Sequence, residues 1–398
     1  MKWGLGFLGV VTAAALAIGG CIYMTTEQAS NPALKADAPV RLEGSPFSAT
    51  RLGNAAIITT DLSPRLQAEA AAYGYSNING PTLIKVPAWV KNPLGRYYLY
   101  FAHHKGRFLR LAYADSPTGP WTVHEPGVLD VSETPLLQEL ADPPLTKNEE
   151  LEAAVRHMGV TELTVFARVG ADAKAAQEQR TEKGELGRTE QSPHIASPDI
   201  YIDHANQRIV LFWHGLVEGT VQMSGVATSA DGLSFETKPG FIAPPYLRYV
   251  NIRGRHIALT MPGLLYKAPD PLGPYEVRPQ PLFDVTARHH AFHLVGNTLY
   301  IFFTRVGDAP ERILVTAVDV SSDDWADWQP GEVFEVMRPE AVWEGADLPI
   351  EPSVRGETTR REHALRDPHV FNDDGQLYLV YAGGGEDAIG IAELTFTK

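Results

Sequence analysis

One cysteine, Cys21, stands among 398 residues, so no disulfide can form within the chain. Positive charge is also scarce: 34 Lys and Arg against 48 Asp and Glu give a formal charge of −14. That balance argues against nucleic acid and against anionic membrane surfaces as partners, while leaving room for a local basic pocket. Apolar residues make up 44% of the chain and charged ones 21%, which fits a soluble globular protein. Glycine and proline are plentiful, at 35 and 30 residues. Together with alternating short β-like runs they favour an all-β architecture.

The N-terminus reads as a targeting segment and is set apart from the fold. Lys2 is followed by an apolar run over residues 3–20 that ends in small residues. Ile18-Gly19-Gly20-Cys21 resembles the lipobox of bacterial lipoproteins, in which the cysteine becomes the lipidated first residue. The resemblance implies a signal peptide over 1–21, a lipid (palmitate-bearing) anchor at Cys21 and a place in the bacterial cell envelope. Ile22, rather than Asp, follows the cysteine, which implies the outer membrane. The alternatives are an ordinary signal peptide or an uncleaved anchor. Residues 22–39 read as a linker.

From there the chain repeats a phrase. A β-like run, a turn rich in Asp, Gly, Ser or Pro, and then an aromatic recur from Tyr113, Ala227, Tyr266 and Val318. Two further β-like runs precede each copy. Units of three or four short strands that cannot bury their faces alone are the mark of a β-propeller. Five such units fit residues 40–398, and the last, ending in IGIAELTF, is one strand short. The segment around 40–60 is the expected donor of the missing strand. Residues 134–190 break the repeat with helical periodicity at 148–158 and 171–181, and are expected to form a partly helical insertion between blades one and two. Residues 340–365 are too rich in Trp, Glu, Asp and Arg for a simple spacer.

In a propeller the ligand site lies where the inner strands converge. The first residues of those strands are therefore the candidates: Asn79, Asp199, Arg248 with Tyr249, His289 with His290, and Arg366 with Asp367. The second strands add His103, His104, Trp213, His214, Thr304 and Arg305. His289 and His293 are expected on one face of their strand and His290 on the other. Histidines near their ordinary pKa could serve as acid, line the wall, or, as His103, His194 and His214 with Asp199, hold a divalent cation. The arginines suit carboxylate or sulfate groups, or brace the axis. Trp213 and Tyr249 are either sugar-stacking platforms or core.

The stretch RDPHVFNDDGQLYLVYAG resembles the blade signature of the five-bladed propeller glycosidases, among them glycoside hydrolase families 43, 32 and 117. In these an R-D-P or D-P motif opens an inner strand and sends its Asp into the active site. The likeness covers most of residues 75–398 as a repeat pattern. It implies paired carboxyls acting on an oligo- or polysaccharide, with their separation setting inversion or retention. Carried over, Asp367 is the orienting carboxylate, Asp199 the base, and Glu351 or His289 the acid, with Asp347 and Glu218 as substitutes for Glu351. The acid as His follows from family 117. Asn79, His103, His104, Trp213, His214, Arg248, His290, Arg305 and Arg366 would contact substrate, with no cofactor. The chain departs from the pattern at Asn79-Gly80-Pro81, where the first-blade Asp-Pro is expected. The reading is an exo-acting, inverting glycoside hydrolase. Its rivals are a non-catalytic glycan-binding lipoprotein and a polysaccharide lyase using His or Tyr with Arg.

Overall fold

The computed structural model describes residues 39–141, 145–169 and 192–397. They form a five-bladed β-propeller whose blades are each built on four antiparallel strands, in sequential order except for the outer strand of blade five. The innermost strands are Asn79–Lys85, Ile195–Asp203, Arg248–Ile252, Ala287–Val295 and Leu365–Asp373. Each touches the inner strand of the next blade, and the fifth touches the first, so the ring is closed.

Closure uses the N-terminal segment as the short last blade requires. Phe47–Arg51 pairs antiparallel with Ala388–Phe396 and becomes the outer strand of blade five. The Phe47 ring lies against Tyr300 and Phe302 of blade four, so the donated strand also glues two blades. An unforeseen two-residue strand, Val40–Arg41, runs parallel to Pro330–Met337 and widens blade four to five strands.

Middle strands are apolar on both faces because each blade is covered by its two neighbours. Tyr97–Ala102 (YYLYFA) is buried at every position. Hairpins follow local chemistry. Asp374 and Gly375, with φ of 51° and 101°, form the two-residue loop between Asp373 and Gln376, a turn that needs two left-handed residues.

Among the described residues two α-helices decorate the ring. Helix α1 is Pro64–Tyr73, with Ser63 accepting from the Arg65 and Leu66 amides, Pro64 in its first turn and Gly74 (φ 82°) ending it. Helix α2 is Lys147–Val169, broken at Gly159 (φ 79°). It contains the first expected helical stretch of the insertion; the second, 171–181, lies outside the described residues, as do Cys21 and the whole of 1–38. Arg156 and His157 of α2 bind Glu218 at 2.6 and 3.1 Å, and Ala153 packs with Val221 and Met223 of blade two. Among the described residues no helix is long and apolar enough to cross a membrane.

Candidate functional site on the propeller axis

The site is built by one backbone irregularity repeated around the ring. Four inner strands slip register near their start, between Asn79 and Thr82, Ala196 and Asp199, Arg288 and Ala291, and Arg366 and His369. Inside each bulge sits a left-handed residue: Gly80 (φ 57°), Ser197 (49°), His289 (57°) and Asp367 (49°). Tyr246 (φ 63°) holds the same place two residues ahead of the third inner strand. Such bulges re-aim side chains, and left-handed backbone at non-glycine residues concentrates at functional sites.

Three of the five residues meet. The Tyr246 hydroxyl donates to Asp367 Oδ1, and His289 Nε2 lies 3.7 Å from the same oxygen. The Tyr246 and His289 rings are 5.2 Å apart, and the Arg248 guanidinium covers the Tyr246 ring at 4.3 Å. Around the other side runs a line of imidazoles. His214 is 6.1 Å from Tyr246, His194 6.2 Å from His214, and His104 6.4 Å from His194, ring to ring. Glu386 closes the circle, 3.5 Å from His104 Nδ1.

Charge is distributed unevenly on this circle. Burial works against ionisation of Glu386, but His104, Arg366 and a hydrogen bond from Asn77 outweigh it and hold the carboxyl well below its usual range. Burial, with the Glu386 charge beside it, pushes Asp367 up against the pull of Tyr246, Arg248 and Arg366. Burial also opposes the charge on His104, yet the Glu386 carboxylate raises its pKa. His104 keeps 30% of its side-chain surface, so it is the charged group that water and ligands reach. His289 and His214 are held neutral, foremost by burial and further by neighbouring cations. Burial lowers His194 to about 4. A carboxyl pair driven apart, beside a cationic imidazole, is the electrostatic pattern of acid–base sites.

Beneath the circle lies a buried ion network. Glu311 accepts from Arg288 at 2.8 and 2.6 Å, from Arg366 at 2.8 Å and from Thr304 at 2.7 Å. Arg366 also reaches Glu386 at 3.2 Å and Glu362 at 3.0 Å. Gly356 of the 345–364 loop places its carbonyl on both arginines, and Glu357 pairs with Lys105 of blade one at 2.5 Å. That loop is thus ordered across the blades and tied to the network.

Several expected site residues take other places. Asn79 does not stand where the motif needs its Asp: the bulge gives that position to Gly80. Asn79 instead donates to Glu386 at 3.2 Å. Asp199 likewise follows its bulge residue, Ser197, by two positions. Its buried carboxyl takes the Tyr249 amide at 2.8 Å and lies 3.9 Å from Arg248, so it joins blades two and three. Burial raises its pKa. Glu351 is exposed and paired with Arg360 at 2.9 Å. Asp347 pairs with Arg361 and Glu218 with helix α2. Trp213 is a core residue, 1% exposed, and Tyr249 stacks on Phe212.

His289, held neutral, is unsuited to be the acid. The bulge also breaks the expected alternation: His290 faces the core and stacks on Phe283 at 5.3 Å, while His293 meets Phe47. His103 lies under Tyr73 at 4.4 Å and accepts the Lys105 amide. Arg305 packs near the Phe303 ring. Arg248 donates to the Ser197 and Pro198 carbonyls, and with Arg366 it braces the axis. Among the described residues no three His, Cys, Asp or Glu side chains are placed to hold a metal ion, so the set of His103, His194, His214 and Asp199 does not converge.

Tyr246, Glu311, Glu386 and Asn77 were not among the expected residues. Asn77 arrives through α1, which the S-P start at Ser63 and the glycine at Gly74 mark in the sequence.

The fold is a five-bladed propeller with a circle of buried carboxyl, imidazole and phenol groups on its axis. The chain is 32% identical over 344 residues to uncharacterized protein R118 of Acanthamoeba polyphaga mimivirus, covering 80% of this chain and 83% of the viral one. It belongs to the same family as that protein. No family model matches. Similar solved structures include a GH43_1 enzyme from Xanthomonas citri, 12% identical with a TM-score of 0.48 over 87% of this chain and 91% of that one. Another is an exo-1,5-alpha-L-arabinanase from a bovine ruminal metagenomic library, 13% identical with a TM-score of 0.44 over 81% and 95%. At these values the likeness carries nothing about the reaction.

Proposed function

We propose that the protein is a glycoside hydrolase-type enzyme that binds an oligosaccharide end in the axial pocket and cleaves it by single displacement, with inversion. The observation that carries this reading is the placement on one circle of Asp367, bound by the Tyr246 hydroxyl, and of a partly exposed His104 paired with Glu386 at 3.5 Å, surroundings that push Asp367 and His104 up and Glu386 down. A carboxyl raised toward neutrality is a better base near pH 7 than an ordinary one. Asp367, held by Tyr246, takes the proton of the attacking water. His104, kept protonated by Glu386 and open to the pocket, gives its proton to the leaving oxygen. Two groups in these roles complete hydrolysis without a covalent intermediate.

The assignment sets the pH profile. Asp367 works when ionised, so kcat/KM rises as pH passes its elevated pKa. His104 works when protonated, so kcat/KM falls as pH passes its own elevated pKa. The active window is therefore displaced upward on both limbs relative to an ordinary carboxyl and imidazole.

The test is incubation of the protein with neutral, uronic and sulfated oligosaccharides, followed by product masses and anomer-resolved NMR. Products heavier by one water, with the inverted anomer, support the reading. An unsaturated product without added water would establish the lyase chemistry instead. A second reading, non-catalytic glycan binding, is favoured by Gly80 and Ser197, which bring no carboxyl to the first two bulges; saturable binding without turnover across the panel would select it. The membrane tether at Cys21 belongs to the same proposal. Cys21→Ser should then move the protein from the membrane to the soluble fraction, and an unchanged distribution would remove the anchor.

A further inference from the structure

The hydrogen-bond inventory below the pocket closes on itself and fixes the position of a proton. Glu311 accepts four hydrogen bonds: the Arg288 Nε and Arg366 Nε donors, a second Arg288 nitrogen, and the Thr304 hydroxyl. A carboxylate has about four lone-pair sites and, when ionised, no donor. Burial opposes that ionisation, but the two guanidinium groups outweigh it and hold Glu311 below the usual range. Glu311 is therefore an acceptor only. Thr304 owns a single hydroxyl proton and spends it on Glu311. Its oxygen then meets His289 Nδ1 at 3.0 Å with lone pairs alone to offer. A hydrogen bond at that distance needs a donor, and only the imidazole can supply it.

We propose that Glu311 and Thr304 form a relay that locks His289 as the Nδ1–H tautomer and presents its Nε2 lone pair to the pocket beside Asp367. Thr304 and Glu311 are then positioning residues, acting through His289. The Nε2 lone pair lies 3.7 Å from Asp367 Oδ1, too far for a direct bond. That oxygen already accepts from Tyr246. Two acceptors of this kind, side by side, call for a donor between them: a water, which can donate to both, or a substrate hydroxyl, which donates to one. His289 thereby helps choose what lies against the base, since a ligand atom at that point must donate. A ligand carbonyl or carboxylate oxygen there would face lone pairs on both sides.

The mechanistic use of this relay rests on the hydrolase reading above; the tautomer itself does not. The experiment keeps the two apart. The full chain is labelled with 15N-histidine, and the His289 ring signals are assigned by comparison with His289→Gln. Wild-type His289 is expected to show a protonated Nδ1 and an unprotonated Nε2 across neutral pH. Thr304→Val, nearly isosteric, removes the acceptor and is expected to shift the ring toward the Nε2–H form. Thr304→Ser keeps the hydroxyl and is expected to retain the wild-type signals. A wild-type ring protonated at Nε2, or a spectrum that Thr304→Val leaves unchanged, would overturn the proposal. Should Thr304→Val fail to fold, the wild-type and Thr304→Ser spectra still decide it. With a substrate in hand, Thr304→Val should lower kcat by roughly 10²-fold with KM little changed, and Thr304→Ser should recover it. Turnover that fails for every substrate while the tautomer holds would sink the hydrolase reading and leave the relay standing.

Discussion

Blades one and two share their inner-strand backbone geometry with blades four and five, yet the bulge residues whose side chains meet on the axis come from one side only. All four carry the bulge and its left-handed residue. In blades one and two that residue is Gly80 or Ser197; in blades four and five it is His289 or Asp367, and Tyr246 of blade three joins them. A Cβ on Gly80 would stand 3.0 Å from the Ser197 Cα, so the first two bulges press backbone against backbone. At the bulges themselves the ring is thus packed backbone on one side and meeting polar side chains on the other. Blade architecture sets where a side chain can enter the axis, and the residue in the bulge decides whether chemistry arrives there.

The sharpest way to break that contrast is on the chemical side. Asp367→Asn keeps size and most hydrogen-bonding capacity but removes the base. Activity on any substrate found should fall by on the order of 10²–10⁴-fold, with the circular dichroism melt within a few degrees of wild type. An activity loss under threefold would return the base to another carboxyl. Next in size comes the network below. Glu311→Gln leaves Arg288 and Arg366 buried without their shared anion, and breaking a buried pair costs about 3–5 kcal/mol. Urea unfolding should show that loss. A change below about 1 kcal/mol would mean that Glu362 and Glu386 suffice to neutralise both arginines.

The fold was legible because a repeat averages over local ambiguity. Four copies of strand, turn and aromatic located the blades, and the short fifth blade required a donor near residues 40–60. The site was less legible for a definite reason. A bulge adds one residue without a mark in composition, and it reverses which side chains face the axis. Taking the first polar residue of each inner strand therefore chose Asp199 where the backbone presents Ser197 and Asn79 where it presents Gly80, and counting by alternation placed His293 beside His289. Asp367 stands in its bulge at the position the R-D-P motif names, because that motif includes its own bulge. Tyr246 had no such motif, and Glu386 and Glu311 lie in loops whose spatial return to the axis no periodicity encodes. Trp213 and Tyr249 take the core alternative of their two readings, since aromatics on fully covered strands serve the core.

His290 offers a smaller test, from the core beside the His289 bulge. Neither ring nitrogen has a hydrogen-bond partner among the described residues, and burial lowers its pKa to about 3. An imidazole near 6.5 when unfolded and depressed when folded supports stability fully above pH 6.5. That contribution is lost as pH falls through the interval toward 3. At pH 5 the penalty is about 2 kcal/mol relative to pH 8. His290→Phe removes the titration and keeps the stacking on Phe283. The variant should match wild type at pH 8 and exceed it at pH 5, by the difference between two denaturation midpoints. Equal pH dependence in both proteins would show that other histidines carry the acid limb.

Gly80→Ala probes the packed half, with the smallest expected effect and the clearest internal control. Two costs act at this position. The left-handed backbone, φ 57°, disfavours any Cβ by about 1–2 kcal/mol, and the Ser197 backbone crowds it. Gly254, φ 85°, has nothing within 4 Å of its Cβ position, so Gly254→Ala carries the first cost alone. Gly80→Ala should therefore be the more destabilising of the two, by an excess that reports the contact between the first two bulges. Equal losses would mean that blades one and two can part to admit a side chain. The missing carboxyl of blade one would then reflect the choice of residue alone, and Gly80→Asp would become the variant that could open the closed half of the ring.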